Sequence, residues 1–219
     1  MNKIDFVVQS IKGENRSFNQ DHIEVFKINN FHLFMVFDGV SSMSNSYRFI
    51  RNFIESFKSE LNKFDEYELN FHELLHEAHN KVLEENIEGM STLSLLLLSE
   101  SNKIAKYLNI GDSRIYIYNN QFIEKITVDD NLLNKKNILT RSLGMQDLCL
   151  DDFCLSNIEP DMNYLICTDG FYNLMEKYLK KYFLAINYKN LRNIARRIHS
   201  IQNGKNIDDS SFILIKNVF

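Results

Sequence analysis

Strand-like and helix-like segments follow one another in this chain in an order that departs from the strict alternation of a doubly wound fold. The first stretches are β-rich: Ile4 to Val8, then Ile23 to Ile28 and Phe31 to Phe37, the last two joined by Asn29-Asn30 as in a hairpin. Two amphipathic helices follow. Phe49, Ile50, Phe53, Ile54, Phe57 and Leu61 recur at helical spacing between Tyr47 and Phe64, and Phe71, Leu74, Leu75, Ala78 and Val82 do so between Asn70 and Asn86. Ser91 to Leu98, Lys103 to Asn109, Arg114 to Tyr118 and Phe122 to Ile126 are short β-rich segments separated by Ser-Asn, Gly-Asp and Asn-Asn turn signals, the pattern of an antiparallel meander. A strand at Tyr164 to Cys167, a helix from Lys189 to Gln202 and a strand from Ser211 to Lys216 complete the order. It predicts an α/β (α+β) fold of antiparallel sheets with helices packed outside.

A chain of 219 residues can bury a substantial core and suits one domain, 1–219, better than two; one Pro and seven Gly leave no linker-like stretch. With 44% hydrophobic and 25% charged residues, wholesale disorder is excluded. The net charge of -4, with both signs interspersed, offers no basic field to nucleic acid and no polybasic run to a membrane surface. No apolar run approaches the length that spans a bilayer, and Met1 to Phe6 carries Lys3 and Asp5 instead of an apolar signal core. Cys149, Cys154 and Cys167 are odd in number and lack metal-site spacing, which fits inert, part-buried thiols in a reducing compartment and predicts cytoplasmic residence.

The chemistry-bearing residues are aspartates. Asp21, Asp38, Asp112, Asp169 and Asp208 each stand at the edge of a predicted strand, and Asp38 and Asp169 are followed directly by Gly39 and Gly170. Hard divalent cations take carboxylate and carbonyl oxygens, rigid strand ends can converge several of them, and glycine lets a backbone carbonyl approach the ion. An Asp-Gly pair alone also makes an ordinary turn, so the set carries more weight than any member.

Several longer pieces stand in order around these residues. Arg16-Ser17-Phe18-Asn19-Gln20-Asp21 comes first, then Phe34-Met35-Val36-Phe37-Asp38-Gly39. Gly89-Met90-Ser91-Thr92 and Asn109-Ile110-Gly111-Asp112-Ser113-Arg114 follow, then Leu139-Thr140-Arg141-Ser142-Leu143-Gly144. Cys167-Thr168-Asp169-Gly170-Phe171 and Asp208-Asp209-Ser210-Ser211-Phe212 close the series. From Arg16 to Ile215 the series resembles the signature blocks of the type 2C (PPM-type) metal-dependent serine/threonine protein phosphatases.

The resemblance implies an α-β-β-α sandwich, two antiparallel sheets flanked by helices, holding two Mn²⁺ or Mg²⁺ ions. Asp38 would bridge both ions, and Asp169 and Asp208 would complete the shell of one. The carbonyl of Gly39, with waters held by Gln20 and Asp21, would serve the other, and Asp112 matches the position of a third, weaker ion. Arg16 would hold two phosphate oxygens with its planar fork. The implied reaction is hydrolysis of phosphoserine or phosphothreonine on proteins by metal-activated water, with a protein kinase of the same cell as the opponent.

The chain also departs from the family pattern. Val40 stands where a His often follows Asp-Gly, so leaving-group protonation falls to water or another group. Ser41-Ser42 replaces Gly-Gly, Gln20 takes a place often held by Glu, and the interval from Thr127 to Leu139 is too short for the usual flap that helps to choose substrates. These departures motivate a rival reading, a phosphatase-like module that binds a partner without hydrolysing anything. A further rival is a zinc peptidase, since His72-Glu73-Leu74-Leu75-His76 fits H-E-x-x-H. That motif needs a third ligand, position 82 is Val82, and Leu74, Leu75 and Ala78 already explain the segment as an amphipathic helix with its histidines flanking the buried stripe.

Overall fold

The computed structural model describes residues 4–62, 70–99 and 103–216, without the side chains of 136 and 137. The predicted helix end at Phe64 and the Ser101-Asn102 turn lie outside the described residues. The elements begin with β1 (Asp5–Ile11), β2 (His22–Ile28) and β3 (Phe31–Phe37), followed by α1 (Ser46–Leu61) and α2 (Phe71–Glu84). Next come β4 (Leu93–Ser99), β5 (Ile104–Ile110), β6 (Arg114–Tyr118) and β7 (Ile123–Lys125). A small hairpin of β8 (Asn131–Leu132) and β9 (Lys135–Leu139) leads to a 3-10 turn at Leu150–Phe153 and to β10 (Ser156–Asn157). The chain then runs through β11 (Asn163–Cys167), α3 (Asp169–Lys177), α4 (Leu179–Ile186), α5 (Leu191–Gln202) and β12 (Ser210–Lys216).

Two five-stranded antiparallel sheets form, in the orders β1-β12-β11-β6-β7 and β10-β5-β4-β3-β2. Side chains alternate across each strand, so a strand covered on both faces is mostly apolar along its length. In β3, Leu33, Met35 and Phe37 face the α1–α2 layer and pack with Phe49, Phe53 and Leu75, while Phe34 and Val36 turn inward. Across the middle they meet Ile115, Tyr164, Ile166 and Ile213 of the other sheet. Leu165, Phe212 and Leu214 point outward from that sheet and are covered by Phe171 of α3, Tyr182 of α4 and Ile194 and Ile198 of α5. The result is the expected α-β-β-α sandwich. No helix among the described residues is long and apolar enough to cross a membrane.

The structure corrects the sequence reading in two places. The four segments from Ser91 to Ile126 do not form one meander: β4 and β5 belong to one sheet, β6 and β7 to the other. The chain changes sheet at Gly111, whose φ of +100 suits glycine and whose added Cβ would lie 2.6 Å from Thr92 Cγ2. The other correction concerns Asp169-Gly170, which starts helix α3 as well as ending β11. Gly170 fits there because a Cβ would stand 2.0 Å from the carbonyl oxygen of Asp209.

Candidate active site

The inward alternation of β3 delivers Asp38 to the end of the sandwich, and its backbone is fixed there on three sides. The Asp38 N–H donates to Thr92 Oγ1 at 3.0 Å, and its carbonyl accepts from Thr92 N–H at 2.9 Å and Ser91 Oγ at 3.0 Å. Thr92 Oγ1 in turn lies 2.6 Å from Ser113 Oγ, tying this strand end to the crossover that carries Asp112. Asp169 begins α3, and Asp208 stands just before β12. Asp38, Asp112, Asp169 and Asp208 thus come from separate strand ends to line one open cavity of about 430 Å³, together with Gly39 and Arg16.

Arg16 reaches the cavity with its guanidinium on Asp208, Nε at 2.6 Å and Nη2 at 2.5 Å from Oδ1. Asp21 is brought close but not into the cavity. It is buried and lines a crevice with Gln9 and His22; Thr168 Oγ1 donates to its Oδ2 at 2.9 Å, and its Oδ1 has no hydrogen-bond partner among the described residues. The side-chain oxygen of neighbouring Gln20 is likewise buried without one.

This gathering of acids is electrostatically unfavourable without a counter-charge. Burial, then the charges of Asp21, Asp169, Asp112 and Asp208, push the Asp38 carboxyl well above the usual carboxylate range. Burial and Asp169 raise Asp112 to about 6. Asp169 is raised by burial and by Asp208, against a hydrogen bond with Asp38, and burial raises Asp21 to about 8 despite its hydroxyl partners. A set of oxygen donors that repel one another and share a cavity fits hard divalent cations. Among the described residues, no group of three or more His, Cys, Asp or Glu side chains stands in an arrangement that would hold a metal ion, so the carboxylates would have to draw together around one.

His72 and His76 lie on α2 as the sequence suggests, but Glu73 is exposed, and His76 tilts against Phe153 and hydrogen-bonds with Asn80 at 3.3 Å. Both histidines are half-buried beside the apolar stripe. The cysteines also differ from expectation: all are free, but Cys149 and Cys154 are exposed and only Cys167 is buried.

Sequence reasoning missed two residues that shape the site. Asp209, beside Asp208 and buried, accepts from Gly13 N–H at 2.9 Å through Oδ1 and from Gln20 N–H at 2.8 Å through Oδ2. It therefore clamps the segment carrying Arg16, Gln20 and Asp21 onto the turn carrying Asp208. Asp209→Ala leaves both N–H groups without that acceptor, and we expect a loss of about 2 to 3 kcal/mol, roughly 5 to 10 °C in Tm, measurable by thermal denaturation.

His79 is the second. It is fully buried on α2, its Nε2 accepts the Gly144 N–H at 3.0 Å, and it so holds the Ser142–Met145 turn that lines the cavity. Burial, with His76 nearby, lowers its pKa from 6.5 to about 4. The unfolded chain then binds more protons between those values, so the stability contributed by neutral His79 is complete above 6.5 and lost as pH falls towards 4. Replacing it by the neutral acceptor of His79→Gln should remove this dependence. The unfolding free energy of wild type relative to that variant should drop by up to about 2 kcal/mol between pH 7.5 and pH 5 in denaturant titrations.

The fold has counterparts among known proteins. No family model matches the chain. The serine/threonine phosphatase stp of Listeria monocytogenes aligns at 26% identity over 119 residues, 44% of this chain and 47% of the relative, so the chain spans about half the length of the curated relatives it matches. Solved structures match almost throughout. The PPM Ser-Thr phosphatase MsPP from Mycobacterium smegmatis superposes with a TM-score of 0.77 at 18% identity, covering 97% of this chain and 98% of its own. The chain has the PPM phosphatase fold. Within that fold, the catalytic domain of PstP, described in complex with two manganese ions, gives a TM-score of 0.75 at 17% identity and 99% coverage of both chains. PppA of Pseudomonas aeruginosa gives 0.75 at 17% identity, with 98% of this chain and 97% of that chain covered.

Proposed function

We propose that the protein is a metal-dependent serine/threonine protein phosphatase that acts as one catalytic domain. The observation that carries this reading is the convergence of Asp38, Asp112, Asp169 and Asp208 on one cavity that Arg16 also enters. The PPM fold and the manganese described for PstP support it. In this reading Asp38, Asp169, Asp208 and the Gly39 carbonyl would hold Mn²⁺ or Mg²⁺ ions in the cavity, with Gln20 and Asp21 supporting the site from behind. Asp112 offers a site for a third ion. Bound ions supply a water acidic enough to lose its proton near neutral pH and counter-charge for the attacked phosphoryl group.

The chain's own residues do the rest. Arg16, which sits on the Asp208 carboxylate at the mouth of the cavity, would have to release it to present its fork to two phosphate oxygens, a geometry that lysine cannot reproduce. Thr92 and Ser113 hold the Asp38 backbone in place, so little reorganisation is needed there. Val40 cannot donate a proton, and the leaving serine or threonine oxygen takes one from water. Substrates are phosphorylated proteins opposed by a kinase, and the free cysteines suit a reducing, cytoplasmic setting.

A second reading, a phosphatase-like binding module, has its own observation. The Arg16 guanidinium is engaged by Asp208, and among the described residues the acids do not form a group that would hold an ion as they stand. Phosphate release from a phosphothreonine peptide separates the two. Hydrolysis that requires Mn²⁺ and stops with chelator supports the enzyme; tight binding of a phosphopeptide with no release of phosphate supports the module.

A further inference from the structure

We infer that the outer face of helices α4 and α5 is a membrane-docking surface, which seats the protein on a bilayer of anionic lipids through residues separate from the cavity. From Lys177 to Ile207 the chain carries eight Lys and Arg and no Asp or Glu, which leaves 17 basic against 29 acidic residues in the rest of the sequence. The mixing of signs that holds for the chain as a whole therefore fails in this layer. Lys177 ends α3, Lys180 and Lys181 belong to α4, and Lys189 lies in the connection to α5. Arg192, Arg196 and Arg197 follow on α5, and Lys205 stands just beyond it. All eight are exposed, and among the described residues none of them is in an ion pair.

The packing of the two helices turns these residues outward. Tyr182 and Ile186 of α4 and Ile194 and Ile198 of α5 are pressed onto the sheet, so the opposite sides face solvent. On α4, Leu184 lies three residues after Lys181 and four after Lys180, on the same side of the helix. Leu184 is 62% exposed, and Leu179 and Tyr188 at the two ends of the helix are 46% and 41% exposed. Where the cations have a neighbour it is an aromatic ring: the ammonium groups of Lys177, Lys181 and Lys205 stand 5.5, 5.6 and 5.3 Å from the centre of the Tyr178 ring. The Arg197 guanidinium lies 3.7 Å from the centre of the Tyr188 ring and donates to its hydroxyl at 2.6 Å. A ring steadies a cation without cancelling its charge, which stays available to an anionic partner.

The mixture of cations and protruding apolar side chains selects a bilayer over other anions. Protein interfaces keep lysine out of their centres, and a leucine tip gains nothing from a phosphodiester backbone. An anionic leaflet takes both kinds of side chain. Its headgroups meet the cations, at about fivefold in affinity for each Lys or Arg near the surface, and leucine tips pass below the headgroups. None of the residues lining the carboxylate cavity comes from α4 or α5, so docking and the chemistry of the cavity use different residues. The inference is thus independent of the phosphatase reading.

The test is flotation of the purified protein with vesicles of phosphatidylcholine alone or with about 30% phosphatidylserine. Wild type should float with the anionic vesicles at low ionic strength, stay behind with the neutral ones, and detach as NaCl approaches about 0.5 M. Arg192→Gln/Arg196→Gln should weaken binding about thirtyfold. Leu184→Ser, which leaves the charge unchanged, should weaken it about fivefold, whereas Arg51→Gln, an exposed position on α1, should bind as wild type does. All these side chains are exposed, so the variants should keep the wild-type Tm. Equal flotation with both kinds of vesicle, flotation with neither, or full binding by the double arginine variant overturns the inference. Tighter binding to duplex DNA or to a polyglutamate peptide than to anionic vesicles, with Leu184→Ser without effect, assigns the face to a soluble polyanion and overturns it as well.

Discussion

Asp38→Asn should lower the turnover of a phosphothreonine peptide by at least about a thousandfold, some 4 kcal/mol of transition-state stabilisation, while leaving the fold intact. The side chain has no packing role that asparagine cannot fill, since the strand end is held through its backbone by Thr92 and Ser91. What changes is charge. Asp38 faces Asp21, Asp169, Asp112 and Asp208, and it is the residue proposed to touch both ions. Removing one of several mutually repelling acids should keep or raise Tm in chelator, whereas the rise in Tm that Mn²⁺ gives wild type should shrink, because an ion that binds only the folded state stabilises it in proportion to its affinity. A variant with lower Tm in chelator and an unchanged Mn²⁺ response would mean that Asp38 is structural.

Arg16→Ala is expected to raise KM for phosphopeptides by about ten- to a hundredfold with kcat changed less, as befits a charge-assisted fork that holds the phosphate before and during the reaction. Steady-state kinetics with and without Arg16 decide this. Arg16→Lys keeps the charge but loses the two-point geometry, and should recover only part of the loss. A large fall in kcat at constant KM would assign Arg16 to the transition state instead. Because Arg16 now sits on Asp208, its removal also frees that carboxylate, and Mn²⁺ affinity should hold steady or increase.

Much of the fold was legible because β3, β4 and β12 are largely buried and carry the apolar runs Leu33 to Phe37, Leu95 to Leu98 and Phe212 to Ile215, while α1 and α2 carry clear helical stripes. The sheet change at Gly111 was not, because a Gly-Asp turn between neighbours in one sheet and a crossing between two sheets use the same residues. Helices α3 and α4, of nine and eight residues, are too short for periodicity to separate from strand and loop.

At the site, the strand-end aspartates were readable as a set, and the structure gathers Asp38, Asp112, Asp169 and Asp208 into one cavity while leaving Asp21 behind it. Sequence order cannot show on which side of a wall a carboxylate points. Asp209 was hidden beside the residue that drew attention, since its partners are backbone N–H groups almost two hundred positions away. His79 did leave a signal. It lies four residues after Leu75 and three before Val82, on the buried stripe of α2, and a histidine there requires a partner.

The decisive experiment is an Mn²⁺ titration of the purified protein in which bound ions are counted by calorimetry and phosphate released from a phosphothreonine peptide is followed in the same samples. A two-ion phosphatase should release no phosphate in chelator and gain activity as about two ions per chain bind. Release that is indifferent to chelator, or a chain saturated with Mn²⁺ that frees no phosphate, would contradict it.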